Sequence, residues 1–363
     1  MMRKCRRFFA ALLCCILLLS AAPAYAAEAE PIRVAFLDSG ISLKHLDPSR
    51  VEEGENLVFP GRDTDDRIGH GTATAGIVLG SEELGLPSLC PEAVVVPLVC
   101  YDCYPSGVTA QGDGETLAQA IRLAVDRYDC RIINISMGMT QDDPALREAV
   151  EYALAQGTIL VSAVGNQNET APERVYYPAA YAGVIGVGAA NGEEAAAFSQ
   201  RNNVDVLAQG VDLPTVTNRN SAKAQTRSGT SFACAVVSGL CAAIWAAEPE
   251  LSADQVRERL YAMAKDIGEP GFDTDSGWGI VSTQPDAAED TPDTEPTSGA
   301  DTKLLLVGTA SAFSTSARAD CHIDRWPRIC WDVRNSQQDS NCFSRLSENA
   351  GETRQHLFGW TQN

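Results

Sequence analysis

Four short stretches of the chain carry residue types that do chemistry. Asp38 follows the apolar run Val34-Ala35-Phe36-Leu37 and opens Asp38-Ser39-Gly40. A carboxylate set directly after four apolar residues is costly to bury unless hydrogen bonds hold it. His70 stands in Gly69-His70-Gly71-Thr72-Ala73-Thr74-Ala75-Gly76, and a neutral imidazole is the natural general base near pH 7. Ser162-Ala163-Val164-Gly165-Asn166 ends an apolar run on an amide that can donate a hydrogen bond to an oxyanion. Ser231, in Ser228-Gly229-Thr230-Ser231-Phe232-Ala233, opens a small-residue helical stretch. There the backbone N–H groups and the helix dipole favour developing negative charge. Each residue also has an ordinary structural reading: turn aspartate, structural histidine, turn asparagine, N-cap serine. Together they supply an orienting acid, a base, an oxyanion donor and a nucleophile, the parts of a serine acyl-transfer site. The other histidine of the central block, His45, lies in the polar stretch Ser42-Leu43-Lys44-His45 and reads as structural or exposed.

The elements that must position these residues alternate. Apolar runs at Ile32–Leu37, Val94–Val99, Ile132–Ile135, Thr158–Val164, Val184–Val187 and Val204–Leu207 read as strands. Helical patterns fall at about 113–128, 142–156, 231–247 and 252–264, with Pro144 after Asp142-Asp143 as a helix start. Near-continuous apolar strands separated by helices predict an α/β fold, a mostly parallel sheet covered on both faces. In such folds ligands bind at the carboxyl ends of the strands, which is where Asp38 and Asn166 fall. Gly183-Val184-Ile185-Gly186-Val187-Gly188 invites a nucleotide-binding reading, but its glycines lie within and at the end of a strand rather than opening a helix.

Composition narrows the function class. The chain has 363 residues, 28 Lys plus Arg, 48 Asp plus Glu and a formal charge of −20. That excess of acid argues against a nucleic-acid binder, which needs a basic face for phosphates. The charge is uneven: +4 over residues 1–26, −25 over 27–302 and +1 over 303–363. A body this acidic favours the approach of basic or neutral peptides over acidic ones. Arg3, Lys4, Arg6 and Arg7 precede the apolar run Phe8–Leu19, and Ala24-Tyr25-Ala26 follows. This pattern predicts a cleavable secretory signal over 1–26. No second membrane segment is found, so a soluble mature protein outside the cytoplasmic membrane is expected. Nine cysteines follow the signal segment, an odd number that leaves at least one thiol free or paired between chains. Cys100 and Cys103 form a C-x-x-C with no second pair and no nearby histidine to complete a zinc set. Cys234 and Cys241 read as buried thiols, and one disulfide of unassigned partners is expected.

Asp38-Ser39-Gly40, His70-Gly71-Thr72, Gly165-Asn166 and Gly229-Thr230-Ser231-Phe232-Ala233, in that order, resemble the motifs of the subtilisin-like serine peptidases. The resemblance covers about 32–287 and includes Ile133-Asn134-Ile135-Ser136-Met137-Gly138. It implies a three-layer subtilisin-like fold and peptide-bond hydrolysis by Ser231, His70 and Asp38, with Asn166 in the oxyanion hole. It implies a substrate bound as an extended strand between Ser136-Met137-Gly138 and Gly112-Asp113-Gly114, with Asp113 adding a carboxylate to the cleft rim. Gln167 and Tyr176, ahead of Tyr177-Pro178, fall where the family lines its main specificity pocket. Family members with a roomy pocket have glycine at the position of Tyr176, so a small or medium side chain is expected just before the cut. A catalytically silent peptide-binding module on the same fold is the alternative reading.

Several positions depart from the family. Only Ala27–Pro31 separate the expected signal cleavage from the first strand, where secreted members carry a folded prosegment. The expectation is folding without that helper or with help from another chain. Ala235 and Val236 replace a Pro-His pair after the nucleophile, and Ala73 replaces a second histidine; none of these touches the chemistry. Asp47 matches a carboxylate that binds calcium in some members, while the companion stretch 80–86 is shorter and lacks the usual asparagines. No cofactor is required by this reading, and a monomer is expected. An acidic Pro/Thr-rich linker is expected over 288–302. The segment 303–363, with Trp326, Trp331, Trp360, Cys321, Cys330 and Cys342, reads either as a disordered tail or as a small binding module.

Overall fold

The apolar runs become the strands of one sheet. The computed structural model describes residues 30–282. The chain divides after Pro31 into two units, and of the first only Glu30 and Pro31 are described. The expected signal segment 1–26, the linker 288–302 and the tail 303–363 lie outside the described residues.

In chain order the strands are β1 (Ile32–Asp38), β2 (Glu55–Asn56), β3 (Ala93–Val99), β4 (Tyr101–Cys103), β5 (Thr109–Gln111), β6 (Ile132–Ile135) and β7 (Ile159–Ala163). They continue as β8 (Ile185–Asn191), β9 (Glu194–Ala195), β10 (Val206–Gln209), β11 (Leu213–Thr215), β12 (Gln225–Arg227) and β13 (Ile280–Val281). The helices are α1 (His70–Leu79), α2 (Gly114–Asp126), α3 (Pro144–Ala155), α4 (Thr230–Ala247) and α5 (Ala253–Ala262). The main sheet runs β13-β10-β8-β7-β6-β1-β3-β2, with β9 added antiparallel to β8. All other pairs in it are parallel.

Side chains alternate across β1 as strand geometry requires. Val34 and Phe36 join the core shared with α1, α4 and α5, while Ala35 and Leu37 join the core under α2 and α3. This gives helix, sheet and helix layers. Helix α4 is apolar around its whole circumference because it is enclosed. Its composition would let it cross a membrane, yet 83% of that apolar window is buried inside the protein. Helices α2 and α3 lie nearer solvent and show explicit caps. Asp113 accepts from Thr116 N, Asp143 accepts from Ala145 N and Leu146 N, and Ser252 with Gln255 closes a capping box on α5.

From β1 the chain builds β2 and β3 on one side of it, then crosses to β6 and builds outward on the other. The crevice above the β1/β6 boundary is therefore the topological switch point, where parallel α/β sheets place their ligands. Leu37 stands opposite Ile135, so Asp38 and Ser136 leave the sheet side by side.

The hairpins β4–β5 and β11–β12 have no counterpart among the expected strands. Their residues, such as Thr109–Gln111 and Gln225–Arg227, are polar and leave no apolar run to read. The six described cysteines, Cys90, Cys100, Cys103, Cys130, Cys234 and Cys241, are all free thiols, so the expected disulfide is not formed among them. Cys100 and Cys103 are three apart in nearly extended chain, where side chains point to opposite faces. Burial pushes the Cys90 and Cys241 thiols up to about 12.

Candidate active site

The base half of the site is built from the end of β1 and the start of α1. Asp38 is 2% exposed. Its Oδ1 accepts from His70 Nδ1 at 2.7 Å and from Ser39 N at 2.7 Å, and its Oδ2 accepts from Thr74 Oγ1 at 3.1 Å. An ionised carboxylate only accepts, so Nδ1 carries the proton and Nε2 presents the lone pair. The His70 ring is fixed further by Phe232, 5.4 Å away between centroids. Burial alone would lower the pKa of His70, but the charge of Asp38 and its hydrogen bond outweigh that, with help from Asp66, and the net shift is upward. Gly71 lets helix α1 start against β1: a Cβ there would lie 2.3 Å from Gly40 O and 3.1 Å from Asp38 Cβ.

Asp66 is the residue that sequence reasoning missed. It is 3% exposed and collects five donors. Oδ1 accepts from Ser39 Oγ, Ile68 N and Gly69 N, and Oδ2 from Thr72 N and Thr72 Oγ1, all within 2.6–2.9 Å. Ser39 Oγ in turn accepts from Gly71 N at 2.9 Å. Burial raises the Asp66 pKa, partly offset by those donors. Its only sequence signal is an acid four residues before His70, hidden in the run Asp63-Thr64-Asp65-Asp66 that reads as a solvated loop.

The nucleophile half is built from α4, β6 and β7. Gly229, at φ 149° and ψ 158°, caps α4, a backbone conformation that essentially only glycine adopts. It turns Thr230 and Ser231 into the first helical turn. Ser231 is 2% exposed. Its hydroxyl donates to Ser136 O at 3.0 Å, and the Ser136 hydroxyl donates back to Ser231 O at 3.2 Å. Asn134 Nδ2 donates to Ser136 Oγ at 2.8 Å, and Ser238 Oγ donates to Asn134 Oδ1 at 3.0 Å. This chain of hydrogen bonds ties the end of β6 to α4. Asn166 Oδ1 accepts from Thr230 N and Thr230 Oγ1, both at 2.9 Å. Its Nδ2 donors lie near Gly229, where a Cβ would stand 3.4 Å away.

Tyr176 lies between Gly165 and Gly138. A Cβ at Gly165 would stand 2.5 Å from its ring, and one at Gly138 would stand 3.6 Å from its Cδ1. Its hydroxyl donates to Gln167 Oε1 at 2.9 Å, an oxygen also held by Arg174. Met137 is buried, and Met139 pairs with Tyr177 through N–H to O contacts of 2.9 and 2.8 Å. The loop 176–178 is thereby clamped to the 136–139 segment.

Gly112-Asp113-Gly114 lies near the end of β3, with Gly112 N donating to Cys100 O and Cys100 N donating to Asp38 O. The Asp113 carboxylate caps α2, its Oδ1 accepting from both N and Oγ1 of Thr116. Asp47 caps its own short turn through Ser49 N and Ser49 Oγ. The stretch 80–86 closes on itself by pairing Ser81 with Leu86. Among the described residues no group of three or more His, Cys, Asp or Glu side chains converges. His45 is structural: Nδ1 meets Glu83 Oε2 at 3.0 Å and Nε2 meets Arg219 O at 2.8 Å.

Known proteins resemble both the sequence and this geometry. The family model described as "Subtilase family" matches residues 30–279. The minor extracellular protease Epr of Bacillus subtilis is 34% identical over 71% of this chain and 39% of its own length. A thermostable alkaline protease of Halalkalibacterium halodurans is 32% identical over 66% and 64%. The chain thus spans less than two thirds of the length of these two relatives. Subtilisin DY of Bacillus licheniformis is 30% identical over 70% of this chain and 89% of its own. Among solved structures, sphericase superposes with a TM-score of 0.62 at 28% identity, over 70% of this chain and 92% of that one. By these matches the chain belongs to the subtilase family.

Proposed function

We propose that the protein is a secreted serine endopeptidase in which Ser231, His70, Asp38 and Asn166 carry the reaction. The observation that carries this reading is the 2.7 Å contact between His70 Nδ1 and Asp38 Oδ1, which leaves Nε2 as the basic nitrogen of a ring that lies beside Phe232, the neighbour of Ser231. Ser231 attacks the scissile carbonyl, and His70 takes its proton and later gives it to the leaving amine. The Asn166 amide and the Ser231 N–H receive the oxyanion. With Ser231 Oγ directed at Ser136 O, a rotation about χ1 redirects the hydroxyl to His70, since catalytic hydrogen bonds tighten in the substrate complex. Every step is carried by side chains and backbone groups, so no cofactor is needed.

The substrate is a peptide bound as an extended strand along Ser136-Met137-Gly138 on one side and the 112–114 turn on the other. Tyr176, 4% exposed and lying against Gly165 and Gly138, occupies space that a bulky substrate side chain would need. A small or medium residue is therefore preferred before the cut. Secretion rests on the basic and apolar pattern of residues 1–26 and on the extracellular name of one relative.

A fluorophosphonate probe tests the reading. It labels the wild-type protein and not the Ser231→Ala variant if the serine is activated. Absence of labelling in wild type, with peptide binding retained, supports the silent binding module instead.

A further inference from the structure

Arg227 is a cation without an anion. It lies on β12, four residues before Ser231. Its Nε is buried with no hydrogen-bond partner, and among the described residues no ion pair forms with it. Arg33, Arg62, Arg67 and Arg122 are paired with Glu52, Asp102, Asp63 and Glu148. Among the described residues Arg50 and Arg201 have no ion pair but donate to backbone carbonyls. Arg201 Nη1 and Arg257 Nε are also buried without a partner, but both residues have other side-chain contacts. Asp212, the neighbouring acid on the β11–β12 hairpin, meets Ser228 instead, accepting its hydroxyl at 3.4 Å. A half-buried guanidinium left unpaired costs stability, because a buried charge is normally hydrogen-bonded or paired. In a body of charge −25, finding an acid to pair with it would have been easy.

The attachment of its hairpin places Arg227 relative to the two halves of the site. Its hairpin is fastened to the His70 side of the site. Thr215 Oγ1 donates to Ala73 O at 2.6 Å, and Asn218 Nδ2 donates to Asp66 O at 2.9 Å. The proposed acyl-side wall, 136–138 with Tyr176, stands on the β6–β7 side of Ser231. His70 is the group that delivers a proton to the leaving amine, so the hairpin flanks the leaving half of the peptide. Arg227 is also close enough to His70 for its charge to lower the imidazole's pKa, and the exposed Arg219 adds a second positive charge nearby.

We propose that Arg227 recognises a substrate carboxylate, the side chain of an Asp or Glu at the first or second residue after the scissile bond. This rests on the endopeptidase reading above. A guanidinium fork suits a carboxylate in two parallel hydrogen bonds, and the substrate acid supplies the partner that the fold omits. The acidic body repels such a peptide at long range, while Arg227 selects it at contact.

The test uses peptide pairs that differ only by Asp against Asn, or Glu against Gln, at those two positions. The expected wild-type ratio of kcat/KM is about tenfold in favour of the acid at low salt, equivalent to about 1.4 kcal/mol. Arg227→Gln brings the ratio to about one, and Arg227→Lys leaves it between the two. Arg122→Gln, on the far face beside Glu148, leaves it at the wild-type value. Arg227→Gln melts at the wild-type temperature or higher, whereas a structural arginine would lower it. A wild-type ratio of one or less, or a ratio that survives Arg227→Gln, overturns the proposal. Cleavage of the neutral peptides, lost in Ser231→Ala, reports separately on the endopeptidase reading. If no peptide is cleaved, binding of a fluorescent acidic peptide to Ser231→Ala is compared with Ser231→Ala/Arg227→Gln, and equal binding overturns the proposal.

Discussion

The two halves of the site are held in opposite ways. On the base side, Asp38 and Asp66 take up eight hydrogen bonds between them, counting the one from His70. Both are enclosed, and the imidazole is oriented by a neighbour that is itself locked. On the Ser231 side, Ser231 rests on Ser136 O, Asn166 holds Thr230 through its Oδ1, and Arg227 Nε has no hydrogen-bond partner among the described residues. On the endopeptidase reading proposed above, the difference separates a group that must be oriented before substrate arrives from groups whose partners arrive with it. Orientation of the base is fixed by buried charge and hydrogen bonds, while the substrate completes the donors.

The comparison can be broken from either side. The largest effect is expected on the nucleophile: Ser231→Ala should lower kcat by about 10⁶, a magnitude taken from subtilisin itself, with the melting temperature nearly unchanged. On the base side, Asp38→Asn should cost about 10⁴ in kcat by favouring the wrong tautomer; a loss below about tenfold would mean that Asp38 does not orient His70. Asn166→Leu should lower kcat by about 10²–10³ with KM little changed, again a magnitude known from subtilisin's oxyanion amide. Asp66→Asn should act mainly on stability, by about 1–3 kcal/mol, because an amide nitrogen cannot accept from Thr72 N or Ser39 Oγ. Chemical denaturation checks this, and an unchanged midpoint would show that the Asp66 cage is not needed.

The smallest effect concerns pH. His70 has its pKa raised above the ordinary 6.5, and catalysis needs the neutral ring. The acid limb of kcat/KM should therefore rise with pH through a midpoint above 6.5. The sign for stability is opposite. The protonated His70–Asp38 pair stabilises the fold fully below the unfolded value, and that contribution is lost as pH rises through the folded one. Arg227→Gln should move the acid limb slightly upward, since Arg227 lowers the His70 pKa.

Much of this architecture was legible in the sequence. The six apolar runs mark β1, β3, β6, β7, β8 and β10, and helix starts at Asp143-Pro144 and Ser252 hold to within a residue or two. The ends differ where pairing rather than hydropathy decides: β8 continues to Asn191 because Ala190 and Asn191 find partners in β9. Asp113 shows the limit of motif reading, since its carboxylate serves the helix it begins.

What the sequence determined alone was the inventory and its order: an acid after an apolar strand, a histidine and a serine each opening a small-residue helix, and an amide after another strand. Those depend on local chemistry, which reads directly from neighbours along the chain. Only the tertiary structure decided what Asp66 and Arg227 are. Both are ordinary charged residues in polar stretches, and their character is set by groups distant along the chain. Asp66 is buried among donors from three stretches and becomes a brace for the His70 turn. Arg227 is carried by its hairpin to the His70 side of the cleft, where no acid among the described residues pairs with it. Desolvation and pairing are properties of a location in space, and no spacing along the chain encodes them.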